Sequence, residues 1–149
     1  DLKISNLRFD EQGNEAICLL DFDTFAHQTI AVEMGDAWRS WCNPAGEDQI
    51  DAIHFDLDIF SASAKAWLAA GPRLSKEERE NLVPGIERIC LELSARFCAD
   101  AIRQCYFKED RSRFSAPGAH NLHRARGQFR LAASVQEQRL KAETIIQNA

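Results

Sequence analysis

No apolar run in the chain approaches the roughly 20 residues that a membrane-spanning helix requires, and no secretory leader is visible. A soluble, cytoplasmic protein with no membrane partner is the expectation. The sequence has no Cys-x-x-Cys pair, and its five cysteines, at positions 18, 42, 90, 98 and 105, are odd in number. That pattern speaks against a disulfide framework or a zinc knuckle and for reduced, buried thiols. No internal repeat, low-complexity tract or linker divides the chain, so a single unit over residues 1–149 is expected.

What is present has the make-up of a globular domain. The 149 residues are 45% hydrophobic and 28% charged, which excludes a disordered or collagen-like chain and suffices for a sizeable core. The net charge of −5 is unevenly spread. Residues 1–54 hold 3 basic and 11 acidic side chains, residues 55–107 hold 7 and 8, and residues 108–149 hold 8 and 4. The acidic first third would repel a phosphate backbone, so nucleic acid is a poor partner. It would suit a divalent cation or a cationic substrate. The chain opens on Asp1 rather than Met, and we read it as a fragment of a longer polypeptide.

Two short apolar runs, 4–9 and 16–22, flank the polar turn Asp10-Glu11-Gln12-Gly13-Asn14 and predict a β-hairpin. Residues 23–34 read as an irregular loop ending at Gly35, followed by a short helix over 36–42 that Asn43-Pro44-Ala45-Gly46 stops. Leu57, Phe60, Ala64, Trp67 and Leu68 have helical spacing over 57–70, closed by Gly71-Pro72. Ser75 with Glu78 is a capping-box signature for the next helix, and Pro84 permits a break or kink. The strongest helix is expected over 86–107, where Ile86, Ile89, Cys90, Leu93, Phe97, Ala101 and Cys105 form one stripe. A polar loop over 108–118 and a long amphipathic helix over 121–146 complete the chain. The expected fold class is mainly α with one short β-hairpin, which is incompatible with a doubly wound sheet.

The polar residues around the hairpin carry the most chemistry. Phosphoryl transfer from ATP needs a carboxylate to orient the acceptor hydroxyl and take its proton, oxygen ligands for Mg²⁺, and a cation near the moving charge. The opening loop, Asp1-Leu2-Lys3-Ile4-Ser5-Asn6, can present Asp1 as base and Asn6 as metal ligand. The hairpin then returns the chain so that Asp21, in Leu19-Leu20-Asp21-Phe22-Asp23, can meet the same ion.

These motifs resemble the catalytic and metal-binding loops of the protein-kinase-like superfamily. Asp-Phe-Gly and Ala-Pro-Glu segments are absent, and the pattern is closer to the aminoglycoside phosphotransferase-like small-molecule kinases. Gly35-Asp36-Ala37-Trp38-Arg39 with Asn43 and Glu47-Asp48 is similar to the N-acetylhexosamine kinase branch. So are Arg96-Phe97, Tyr106-Phe107-Lys108 and His120-Asn121-Leu122-His123-Arg124-Ala125-Arg126. The resemblance implies the carboxy-terminal lobe of a protein-kinase-like fold, with ATP as co-substrate and Mg²⁺ as cofactor. Its partner would be a small-molecule hydroxyl substrate, most simply a hexosamine or related sugar. By position, Asp1 would be the catalytic base, Asn6 and Asp21 the Mg²⁺ ligands, and Asp23 an auxiliary metal or water ligand. Lys3 stands where protein kinases keep a phosphate-contacting lysine. The His-Gly that precedes the catalytic aspartate in the family and the nucleotide-clamping amino-terminal lobe are not in these residues, so the fragment alone is expected to be inactive.

Other residues have two readings each. Asp36 could bind substrate or brace the catalytic loop through backbone hydrogen bonds. Arg39 and Asn43 could reach a sugar hydroxyl or pair with Glu47 and Asp48. Arg96 and Tyr106 interrupt or end the apolar stripe, and a guanidinium fork with a phenol suits carbohydrate hydroxyls and ring faces. Their plainer reading is an Arg paired with a neighbouring acid and a Tyr at a core edge. His120 and His123 could share a metal but have no third ligand nearby. Trp38, Trp41 and Trp67 read as core, with Trp41 able to line a pocket. Two further functions stay open: a non-catalytic helical binding module with kinase-like loops, and a haloacid-dehalogenase-like phosphatase using Asp21 as nucleophile and Asp23 as acid/base. The latter would need a Gly before Thr24 and a parallel sheet downstream.

Overall fold

The computed structural model describes residues 2–23, 26–46 and 49–149. The expected base Asp1, Thr24 of the phosphatase motif, and the pair at 47 and 48 lie outside the described residues. The described chain is mainly helical with one two-stranded antiparallel sheet, and no helix in it is long and apolar enough to cross a membrane.

A 3₁₀ turn, Ile4–Asn6, leads into β1 (Leu7–Phe9), which pairs with β2 (Ala16–Leu19). The pairing is Leu7 with Leu19, Arg8 with Cys18 and Phe9 with Ala16, so one extra residue bulges between the last two. Asp10 closes the turn: its Oδ1 accepts the Asn14 N–H at 2.7 Å, and its carbonyl accepts the N–H of Gly13, which has φ +74°. A hairpin this short has little burial of its own. Trp41 ties it to the helices by donating its indole N–H to the Leu2 carbonyl. Trp41 therefore anchors the first loop.

Five helices follow: α1 (Ile30–Trp41), α2 (Leu57–Ala70), α3 (Lys76–Arg103), α4 (Ala119–Glu137) and α5 (Arg139–Asn148). The central element is α3, packed against α1 on one side and α4 on the other. The Ser75–Glu78 capping box forms as expected, with Ser75 Oγ accepting the Glu78 N–H and Glu78 accepting the Ser75 N–H. Asp56 caps α2 through the N–H groups of Asp58 and Ile59. Trp38 sits at the centre of the core, edge-on to Phe60 at 5.1 Å and Trp67 at 5.7 Å.

Three expectations are corrected here. First, residues 30–35 are helical, and Gly35 lies inside α1 rather than ending a loop. The reason is tertiary: α1 and α3 cross at backbone contact. A Cβ on Gly35 would stand 2.6 Å from the Gly85 carbonyl oxygen, and one on Gly85 would stand 2.1 Å from that of Ala31. Second, α3 continues through Pro84 as one helix but stops at Arg103, four residues short of the expected end. Gln104 takes a left-handed φ of 50°, and the N–H groups beyond it bond a side chain rather than the preceding turn. Third, the last helical run divides at Gln138, whose Nε2 donates to the Phe55 carbonyl at 2.6 Å. Phe55 N–H in turn donates to Ser134 Oγ, so the segment entering α2 is held by the end of α4.

Candidate functional site

A cleft of about 560 Å³ opens where the first loop meets α1, α3 and the turn after α3. Val32, Glu33, Asp36 and Arg39 enter it from one face of α1, with the three- and four-residue spacing of a helix surface. Ile89, Glu92, Leu93, Arg96 and Phe97 enter from the facing side of α3 in the same way. Tyr106 and Phe107 come from the turn, Arg124 from α4, and Lys3 and Gln28 from the segments around the hairpin. Asp36, Arg39, Arg96 and Tyr106, picked out in the sequence as acceptor-side residues, thus share one cleft with Lys3.

Within it, Arg39 donates through Nε and one terminal nitrogen to Oδ1 of Asp36, at 2.9 and 2.7 Å. Arg39 is almost fully buried, so this charge-assisted pair fixes its guanidinium against α1. The bonds of Asp36 run to Arg39 and not to the backbone of the first loop. Oδ2 of Asp36 takes no part in the pair. The Asn43 side-chain oxygen is buried with no hydrogen-bond partner.

Arg96 pairs with no carboxylate among the described residues. Its guanidinium carbon lies 5.5 Å from the ring centres of both Tyr106 and Phe107. Tyr106 meets Phe107 edge-on at 4.7 Å, and Phe107 packs on Phe97 at 4.4 Å. Tyr106 itself is 71% exposed. The plainer readings of these two residues, a surface ion pair and a core-edge phenol, are therefore not what the structure has. Instead the guanidinium lies over an aromatic wall, where its N–H groups can serve a ligand.

Asp100 holds this wall and was missed in the sequence. It is 4% exposed, and its Oδ1 accepts the N–H groups of Cys105 and Tyr106 at 3.0 and 2.9 Å. Oδ2 accepts the Phe107 N–H at 2.8 Å and the Asn121 amide at 3.1 Å. These donors, the Phe107 N–H foremost, hold the carboxyl below its ordinary range despite burial. The signal was an acidic residue on the buried stripe of a helix, which must find donors or not be there.

The expected metal ligands sit at the root of the hairpin. The Asn6 carbonyl accepts the Leu20 N–H at 2.8 Å, so the pairing that closes the hairpin brings residue 21 beside Asn6. Asp21 has φ 65°, a conformation that Asp and Asn tolerate better than other side chains. A hydrogen bond between the Asp21 and Asp23 carboxyls and the charge of Asp23 raise Asp21, with Lys3 pulling it back down, while the same hydrogen bond and a backbone bond lower Asp23. Two carboxylates and a side-chain amide offer oxygen donors of the kind a hard cation such as Mg²⁺ takes. Among the described residues, no group of three or more His, Cys, Asp or Glu side chains could hold a metal; this set has two carboxylates and an amide.

His120 is buried, accepts the Asp110 N–H at Nδ1 (2.9 Å) and stacks on Phe114 at 4.6 Å. Its bonding is that of a packed side chain. The thiols divide: Cys42 and Cys90 are buried and pushed up to about 12 by desolvation. Cys18, Cys98 and Cys105 are exposed, against the expectation that all five are buried. Compared with known proteins, the chain matches no family model and no curated sequence.

Proposed function

We propose that this chain is the acceptor-binding, carboxy-terminal lobe of an ATP-dependent small-molecule kinase that moves the γ-phosphoryl group onto a hydroxyl of a hexosamine or related sugar. One observation carries the reading: Lys3, Asp36, Arg39, Arg96 and Tyr106, scattered over the first 106 residues, line a single cleft beside the hairpin root that bears Asn6, Asp21 and Asp23.

In this reading Asp1 orients the acceptor hydroxyl and takes its proton. Asn6 and Asp21 would hold Mg²⁺ with Asp23 beside them, and the bound cation supplies neutralisation of phosphate charge. Lys3 adds a positive charge at the same edge of the cleft. Positioning supplies most of the rate, because no covalent chemistry is asked of the protein. The cleft carries side chains of both signs, which suits a neutral polyol. Its described lining residues include the cations Arg39 and Arg96 and the acids Glu33, Asp36 and Glu92. Hydroxyls can bond both kinds of group, and an apolar sugar face can rest on Tyr106. The phosphatase alternative lacks its support, since the sheet among the described residues is two-stranded and antiparallel.

The test is a transfer assay on the full-length polypeptide with γ-labelled ATP, Mg²⁺ and a panel of N-acetylhexosamines, aminoglycosides, choline and homoserine. Label should pass to a hexosamine. Asp21→Asn, which keeps the left-handed backbone acceptable, should abolish turnover with an unchanged melting temperature. Transfer to no acceptor, or near-normal turnover by Asp21→Asn, contradicts the proposal.

A further inference from the structure

We infer that Asp100 is a positioning residue for the acceptor: its buried carboxylate fixes the turn that presents Tyr106 and Phe107 to the cleft. The inference rests on the functional reading above and assigns a part of that site to a residue that does not line it.

Asp100 sits at the end of α3, where the chain must leave the helix and turn toward the cleft. Three successive N–H groups, of Cys105, Tyr106 and Phe107, converge on its two oxygens, and the Asn121 amide of α4 and the Cys105 thiol donate as well. Gln104 turns left-handed to allow this. The two rings so placed are the ones over which Arg96 lies. One buried anion therefore sets the position of both aromatic faces and of the guanidinium lying over them. Its charge is taken up by these donors and it does not line the cleft. An asparagine cannot replace it. With one oxygen exchanged for an amide, either the pair of N–H groups at 105 and 106 or the one at 107 faces a donor.

The prediction is a split in kinetic constants. In the full-length protein Asp100→Asn should raise the acceptor KM about tenfold and leave the ATP KM within about twofold, since only acceptor-side contacts shift. Amide hydrogens of residues 105–107 should exchange faster in that variant, with the interior of α3 unchanged. Should Asp100→Asn not fold, Asn121→Ala removes one donor while leaving the carboxylate and its three backbone bonds, and should raise the acceptor KM in the same direction by less. An acceptor KM equal to wild type in a folded variant, or a fall in kcat with both KM values unchanged, overturns the inference alone. A wild-type protein that transfers phosphate to no acceptor overturns the functional reading, and this inference with it.

Discussion

A charged group on the face of α3 that meets α1 and α4 has to be bonded or aimed at a ligand, and the two charged residues near its end divide in that way. Asp100 is bonded by three backbone N–H groups, the Asn121 amide and the Cys105 thiol, whereas Arg96 lies over two rings with its donor edge unspent among the described residues. The first is structural at neutral pH, and the sign of its contribution follows from its bonding. Its folded-state pKa lies below the ordinary 3.8, so the stabilisation is fully present above the unfolded value and is lost as pH falls through the folded one. Urea denaturation from pH 7 down to pH 3 should show a decline in midpoint below about pH 4 that is shallower in Asp100→Asn; parallel curves would mean that Asp100 takes no part in it. The thiols give a second test at this scale. Cys18, Cys98 and Cys105 should react promptly with a disulfide reagent at pH 8, and Cys42 and Cys90 only on unfolding. Five equally fast thiols would contradict the packing around Trp38 and α3.

Between elements, the close crossing of α1 and α3 does most to shape the cleft, because it brings the residues at 32, 33, 36 and 39 opposite those at 89, 92, 93 and 96. Gly85→Ala would drive a methyl group into the Ala31 carbonyl. Backbone on both sides leaves little room to give, so the loss should be at the upper end of about 1–3 kcal/mol, read from denaturant midpoints. A variant as stable as wild type would show that the helices do not touch there. This crossing also explains what could be read from the sequence. The capping box at Ser75, the helix over 57–70 and the hairpin are written in neighbouring residues, and each was legible. Gly35 looked like a loop terminus because its purpose lies fifty positions away, at Gly85. The end of α3 was placed too late because the apolar stripe continues to Cys105, while the bonds that end the helix belong to Asp100. Nothing local marks the division at Gln138, whose partner is the Phe55 carbonyl. Of the site, Arg96 and Tyr106 stood out by interrupting a stripe, whereas Asp100 and Arg124 gain their place only when α3, α4 and the turn are assembled.

On the scale of the whole molecule, the root of the hairpin and the helical body border one cleft. The hairpin carries oxygen donors on its root, the helices carry cations and aromatic faces, and the cleft lies between them. Under the proposed function the metal would sit at the hairpin root and the polyol in the cleft, with Lys3 common to both, since it lines the cleft and acts electrostatically on Asp21. A crystal structure of the full-length protein with Mg²⁺, a non-hydrolysable ATP analogue and an N-acetylhexosamine tests this account most directly. The account predicts the sugar between Arg96 and Tyr106, one hydroxyl at hydrogen-bond distance (about 3 Å) from the Asp1 carboxylate, and the cation on Asn6 and Asp21. A sugar bound elsewhere, or a cation whose ligands exclude Asn6 and Asp21, would contradict it.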